Sequence, residues 1–318
     1  QQLVAKLTEE LGTASAQYLV SCLVETPANP NQVDGVVLLL GELQKVSPKV
    51  ARAAIESLPD LQRRGRLSDV LIWLDLGVTL AESSGAIGLK FFKESPLVLG
   101  LIEQPSVRLL VLKAALELAE QDGNIALEFL RVAPEAVRVI SPDQLEAWLE
   151  IGFELVQIDF VVALEYIHQI PAVARVLALQ DARAWAMFGV KLVSRNSFGT
   201  ADYFGTIEFL RTSPLILGGV DDPSVRAKVV TVGSLMADRD PGSAISWLSE
   251  SPRLLCPVPN QGWRLRILQY GALVAERDAE TALAYLRGAP ELVSVIGESA
   301  EAAARFEAWF RAGMEVLA

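Results

Sequence analysis

Residues 73–96 read WLDLGVTLAESSGAIGLKFFKESP, and the spacing inside this stretch decides the fold. Trp73 stands four residues before Gly77, which places both on one face of a helix, one turn apart. Further along come Gly88, Leu89 and Phe91, then Ser95-Pro96. A small residue, a leucine and an aromatic at relative positions 0, 1 and 3 make an apolar face of helical period, not the alternation of a strand. The stretch therefore predicts a long helix, a short loop and a shorter second helix. The proline is expected to stop the second helix within about two residues, because the residue before a proline avoids the α region.

Outward from this stretch the same phrase recurs. Pro59, Pro96, Pro134, Pro171, Pro214, Pro252 and Pro290 are separated by 37, 38, 37, 43, 38 and 38 residues, and Pro27 fits an earlier, degenerate copy. Five residues before the prolines stand Phe91, Phe129, Tyr166, Phe209, Trp247 and Tyr285, and eight before them the residue is small in most copies, as at Ala51, Ala126, Ala163, Ala244 and Ala282. Trp148 with Gly152 and Trp185 with Gly189 repeat the Trp73–Gly77 spacing. Glycine inside a helix costs about 1 kcal/mol against alanine, so its repeated use implies close approach of a neighbouring helix. Capping residues before prolines mark helix starts at Ser47-Pro48, Ser141-Pro142, Asp222-Pro223 and Asp240-Pro241. The fold class read from this is all-α: a single α-solenoid domain over residues 1–318, with about seven stacked antiparallel helix pairs of about 38 residues and a terminal half-repeat over 291–318.

Composition agrees. Hydrophobic residues make up 51% of the chain, too many for a disordered one, yet no apolar run reaches the roughly 18 residues a membrane-spanning helix needs. The net charge of −11 argues against nucleic acid as a partner, since that requires a positive footprint. Two cysteines, Cys22 and Cys256, cannot make a disulfide framework, and Gln1-Gln2-Leu3 carries neither an initiator methionine nor a secretory pattern. The expectation is a cytoplasmic segment of a longer protein. The aromatic residues Phe306, Trp309, Phe310, Met314 and Leu317, placed where a terminal helix should present charge, carry the further expectation that the protein continues past Ala318 with a segment that packs on this helix, and that part of this apolar surface is exposed in the chain as it stands.

No catalytic, cofactor or metal constellation emerges. His168 is the only histidine, which removes paired-histidine metal sites and the usual His-containing triads, and no Walker, Rossmann or EF-hand spacing occurs. His168 lies three residues before Pro171, in register with Lys93, Arg131, Arg211 and Arg287. These cations either complement the negative ends of short helices or form a basic ridge that meets an acidic partner. A second series, Arg108, Arg183, Arg226 and Arg264, slips register and is given no role. The 43-residue spacing before Pro214 places about five extra residues within Ser194–Thr206, which carries Phe198, Tyr203 and Phe204. Insertions in solenoids map to loops on one face, and aromatic anchors are frequent in interfaces, so these three rings are candidate partner contacts.

The phrase Trp-x-x-x-Gly, then A-x-x-F-L-x-x-S-P, clearest over Trp73–Pro96, Trp148–Pro171 and Trp185–Pro214, resembles the helical repeats of the von Willebrand factor A-domain proteins that partner MoxR-type AAA+ ATPases, the nitric oxide reductase activation and Rubisco activase adaptor group. No D-x-S-x-S metal-adhesion motif is present, so the A domain itself is not in this sequence. The resemblance implies a non-catalytic adaptor that links a remodelling ATPase to its target. The competing expectation is an enzyme or regulatory module with a site in the solenoid concavity or in a domain not present here.

Overall fold

The computed structural model describes residues 30–62, 67–194, 203–258, 260–296 and 299–316. Among them are fifteen α-helices and no strand, so the all-α reading holds. Helices of the first kind are α1 (Pro30–Val46), α3 (Leu67–Ser83), α5 (Pro105–Gln121), α7 (Pro142–Ile158), α9 (Leu179–Ser194), α11 (Pro223–Ala237), α13 (Gln261–Ala275) and α15 (Ala300–Val316). Those of the second kind are α2 (Pro48–Gln62), α4 (Gly85–Gly100), α6 (Gly123–Val139), α8 (Phe160–Val173), α10 (Tyr203–Gly218), α12 (Pro241–Leu255) and α14 (Ala279–Ile296). None of the described helices is long and apolar enough to cross a membrane.

The chain divides into two compact units, Gln1–Phe153 and Glu154–Ala318. In the first, α1, α3 and α5 pack in sequence on one another, and so do α2, α4 and α6. In the second, α9, α11 and α13 form one such row, and α8, α10, α12 and α14 the other. The columns read from the sequence supply the core between rows. Trp73, Phe91 and Phe129 are fully buried in the first unit, as are Tyr166, Trp185 and Trp247 in the second, with Phe209 close behind. The regularly spaced aromatics are core, not a ligand cage.

The expected helix ends are corrected. The second helices run through their prolines, continuing four residues past Pro96 in α4 and six past Pro290 in α14, and only α8 ends within two residues, at Val173. Second helices are shorter than the first in three pairs, as α8 with 14 residues against 17 in α7, equal in three, as α6 and α5 with 17 each, and longer in α14. A proline inside a helix deletes the bond to the carbonyl four residues earlier. Two of the freed carbonyls accept from other donors. Ser57 Oγ donates to the Phe92 carbonyl at 2.8 Å, opposite Pro96, and Ser251 Oγ donates to the Leu248 carbonyl at 2.9 Å, opposite Pro252. Because α6, α10 and α14 also run through their prolines, the bias of the pre-proline residue away from the α region is by itself too weak to end these helices.

The serine before the proline has a second role. Trp73 Nε1 donates to Ser95 Oγ at 2.7 Å, and Trp185 Nε1 donates to Ser213 Oγ at 2.7 Å. The tryptophan and Ser-Pro columns are therefore two halves of one buried contact, made once in each unit. The likeness extends downstream: SPLVLGLIEQPSVR (95–108) and SPLILGGVDDPSVR (213–226) agree at nine of fourteen positions. Both stretches close their helix with the same tightened bonds, Leu101 N–H to the Val98 carbonyl and Gly219 N–H to the Ile216 carbonyl.

Helix starts follow a signal broader than the one read from proline pairs. Asp122, Asp159, Asp240 and Asp278 each stand twelve residues before a repeat proline, and each side chain accepts from backbone N–H groups of the turn it opens. Asp122→Ala is expected to lower stability by about 1 kcal/mol, the ordinary worth of an N-cap carboxylate. Urea denaturation of the two proteins side by side checks this, and an unchanged midpoint would remove the cap from the account of α6.

At the other end, Phe306 and Phe310 of α15 are buried, packed on Trp263 and Tyr270 of α13. Trp309 stacks on Tyr285 of α14 and stays 47% exposed, so part of this apolar surface is open as expected. The side chain of Met314, and Leu317, lie outside the described residues.

Candidate functional site

The column of cations three residues before the prolines sits on the second helices, and the structure engages it internally. Arg131 of α6 reaches back to α4, donating from Nε and Nη2 to Glu94 Oε2 at 3.0 and 2.8 Å, while its Nη1 donates to Glu128 on the same helix. Arg287 of α14 makes the same two-pronged contact with Glu250 of α12, with Nε 2.8 Å from Oε2. Both pairs span 37 residues, one repeat. Arg211 of α10 pairs with Glu165 of α8, Nε to Oε1 and Nη2 to Oε2 each at 3.0 Å. Glu165 is buried and also accepts from Gln169 Nε2 at 2.9 Å, so the low-dielectric carboxylate has three donors. His168 lies on α8, half-buried, and Lys93 on α4, exposed.

This geometry replaces the helix-end explanation of the column. Because α6 continues to Val139, Arg131 is not in its last turn, and Arg138 holds that place. The two-pronged pairs hold neighbouring second helices in register and pass part of their charge to one another. Hydrogen bonding to Glu94 raises the Arg131 guanidinium further, and bonding to Glu165 does the same for Arg211. Members of the second arginine series bond at home, although Arg108 and Arg226 each bury an Nε without a hydrogen-bond partner. Arg183 pairs with Glu154 at 2.9 Å and Arg264 Nε donates to the Val258 carbonyl at 3.1 Å, while Arg108 is 8% exposed.

Acid should loosen this network. Hydrogen bonds from Arg287 to Glu250, and from Ser243 to Asp240, hold those carboxyls below their ordinary 4.5 and 3.8. A depressed carboxyl contributes stability that is complete above its unfolded-state pKa and lost as pH falls through the folded-state value. Asp75 and Asp181, raised chiefly by burial, act in the opposite sense. The melting temperature is expected to be level above about pH 5 and to fall below about pH 4, with Asp240→Asn removing part of the fall. An acid limb identical in Asp240→Asn would show that this cap takes no part in it.

Of the rings in the insertion, Phe198 lies outside the described residues, as do the side chains of Tyr203 and Phe204 in the first turn of α10. The structure adds a feature that periodicity does not reveal, a cavity of about 310 Å³ in the first unit. It opens between the α4–α5 connection and the last turn of α6, with Leu101, Ile102, Val107 and Val137 as apolar lining and Glu103 and Arg138 as its charges. Among the described residues, no group of three or more His, Cys, Asp or Glu side chains could hold a metal ion. Cys256 is an exposed free thiol. No known protein family, curated protein or solved structure matches the chain.

Proposed function

We propose that this protein is a non-catalytic α-solenoid of about seven helix pairs that serves as a protein-binding scaffold, and that it acts as an adaptor between a remodelling AAA+ ATPase and its target. One observation carries the scaffold reading: within each unit like helices pack on like, with the tryptophan–serine contact at the same repeat position in both. Such repetition presents the same faces again and again, and a binding surface then grows with the number of repeats. The adaptor reading rests on the resemblance of Trp73–Pro96, Trp148–Pro171 and Trp185–Pro214 to the A-domain adaptor repeats. The distribution of perturbed carboxyls favours binding over catalysis. Asp75 and Asp181, both raised, belong to different units, and neither lines the cavity.

The partner contacts include the insertion rings Phe198, Tyr203 and Phe204, with Arg131 on the first unit and His168, Arg211 and Arg287 on the second as polar contacts, the arginines releasing their carboxylate partners to a competing acidic segment. Affinity capture with the full-length protein, followed by mass spectrometry, is expected to enrich a MoxR-type AAA+ ATPase. Phe198→Ala with Tyr203→Ala should weaken that capture and leave the melting temperature unchanged. Capture without any such ATPase would sink the adaptor reading, and undiminished capture by the double variant would move the contact off the insertion.

A further inference from the structure

We draw no further inference here: the strongest candidate, the row of exposed carboxylates Asp75, Glu82, Glu117 and Glu120 on the outer faces of α3 and α5, is an acidic cluster with nothing else in the structure that points to what would bind it.

Discussion

Trp73→Ala is expected to destabilise the protein by about 3–5 kcal/mol, the range for emptying a large buried aromatic site. Trp73 has no exposed surface and meets Phe92 edge-on at 4.7 Å between ring centroids, with Phe91 at 6.0 Å. Its indole N–H donates to Ser95 Oγ, itself buried. The substitution therefore removes packing on two rings and strips a buried hydroxyl of its donor. Two further variants separate these contributions. Ser95→Ala keeps the ring and orphans the indole N–H, at about 1–3 kcal/mol. Trp73→Phe removes the donor and only part of the ring. Urea unfolding of the three variants should rank Trp73→Ala lowest by a clear margin. If Ser95→Ala alone cost as much, the hydrogen bond rather than ring packing would be what the tryptophan column supplies.

Gly77→Ala should be destabilising by about 1–3 kcal/mol, the usual cost of overfilling a packed site, although the same change in an open helix position gains about 1 kcal/mol. A Cβ built on Gly77 would lie far inside van der Waals distance of Cζ on the Phe92 ring. That ring cannot step aside, because it is fully buried and wedged against both Trp73 and Phe91. The second unit has its own version: a Cβ on Gly233 would lie 2.6 Å from Phe188 Cε1. Gly288 is the control. It lies inside α14 with nothing within 4 Å of a built Cβ, so Gly288→Ala should stabilise by about 0.5–1 kcal/mol. Thermal melts of both variants test the pair, and a stabilised Gly77→Ala would mean that α3 and α4 are not held at this separation.

Several sites were legible before any coordinates because each rests on a local rule. A glycine four residues after a tryptophan announces a close helix contact, and the structure supplies the ring that fills it. The twelve-residue offset of Asp122, Asp159 and Asp278 from their prolines was equally present in the sequence. A capping residue directly before a proline marks only Asp240 among these four. The Glu94 and Glu250 partners stand two residues before Pro96 and Pro252, one period from their arginines. That regularity was visible too. The choice of Glu165 for Arg211, 46 residues away, was not, because it departs from the period.

The sequence by itself determined the helical period, the alternation of two kinds of helix, and most of the buried aromatic column. These follow from backbone sterics and from the burial of apolar faces, which act within a few residues of the chain or repeat along it. Only the tertiary structure decided which segment takes over a carbonyl freed by a proline, as Ser57 does for Phe92 opposite Pro96. It also decided that the arginine column bonds to carboxylates of the preceding second helix, and that a cavity opens beside Val107 and Val137. Each of those outcomes depends on the distance between side chains on different helices. Packing sets that distance, and no spacing along the chain encodes it.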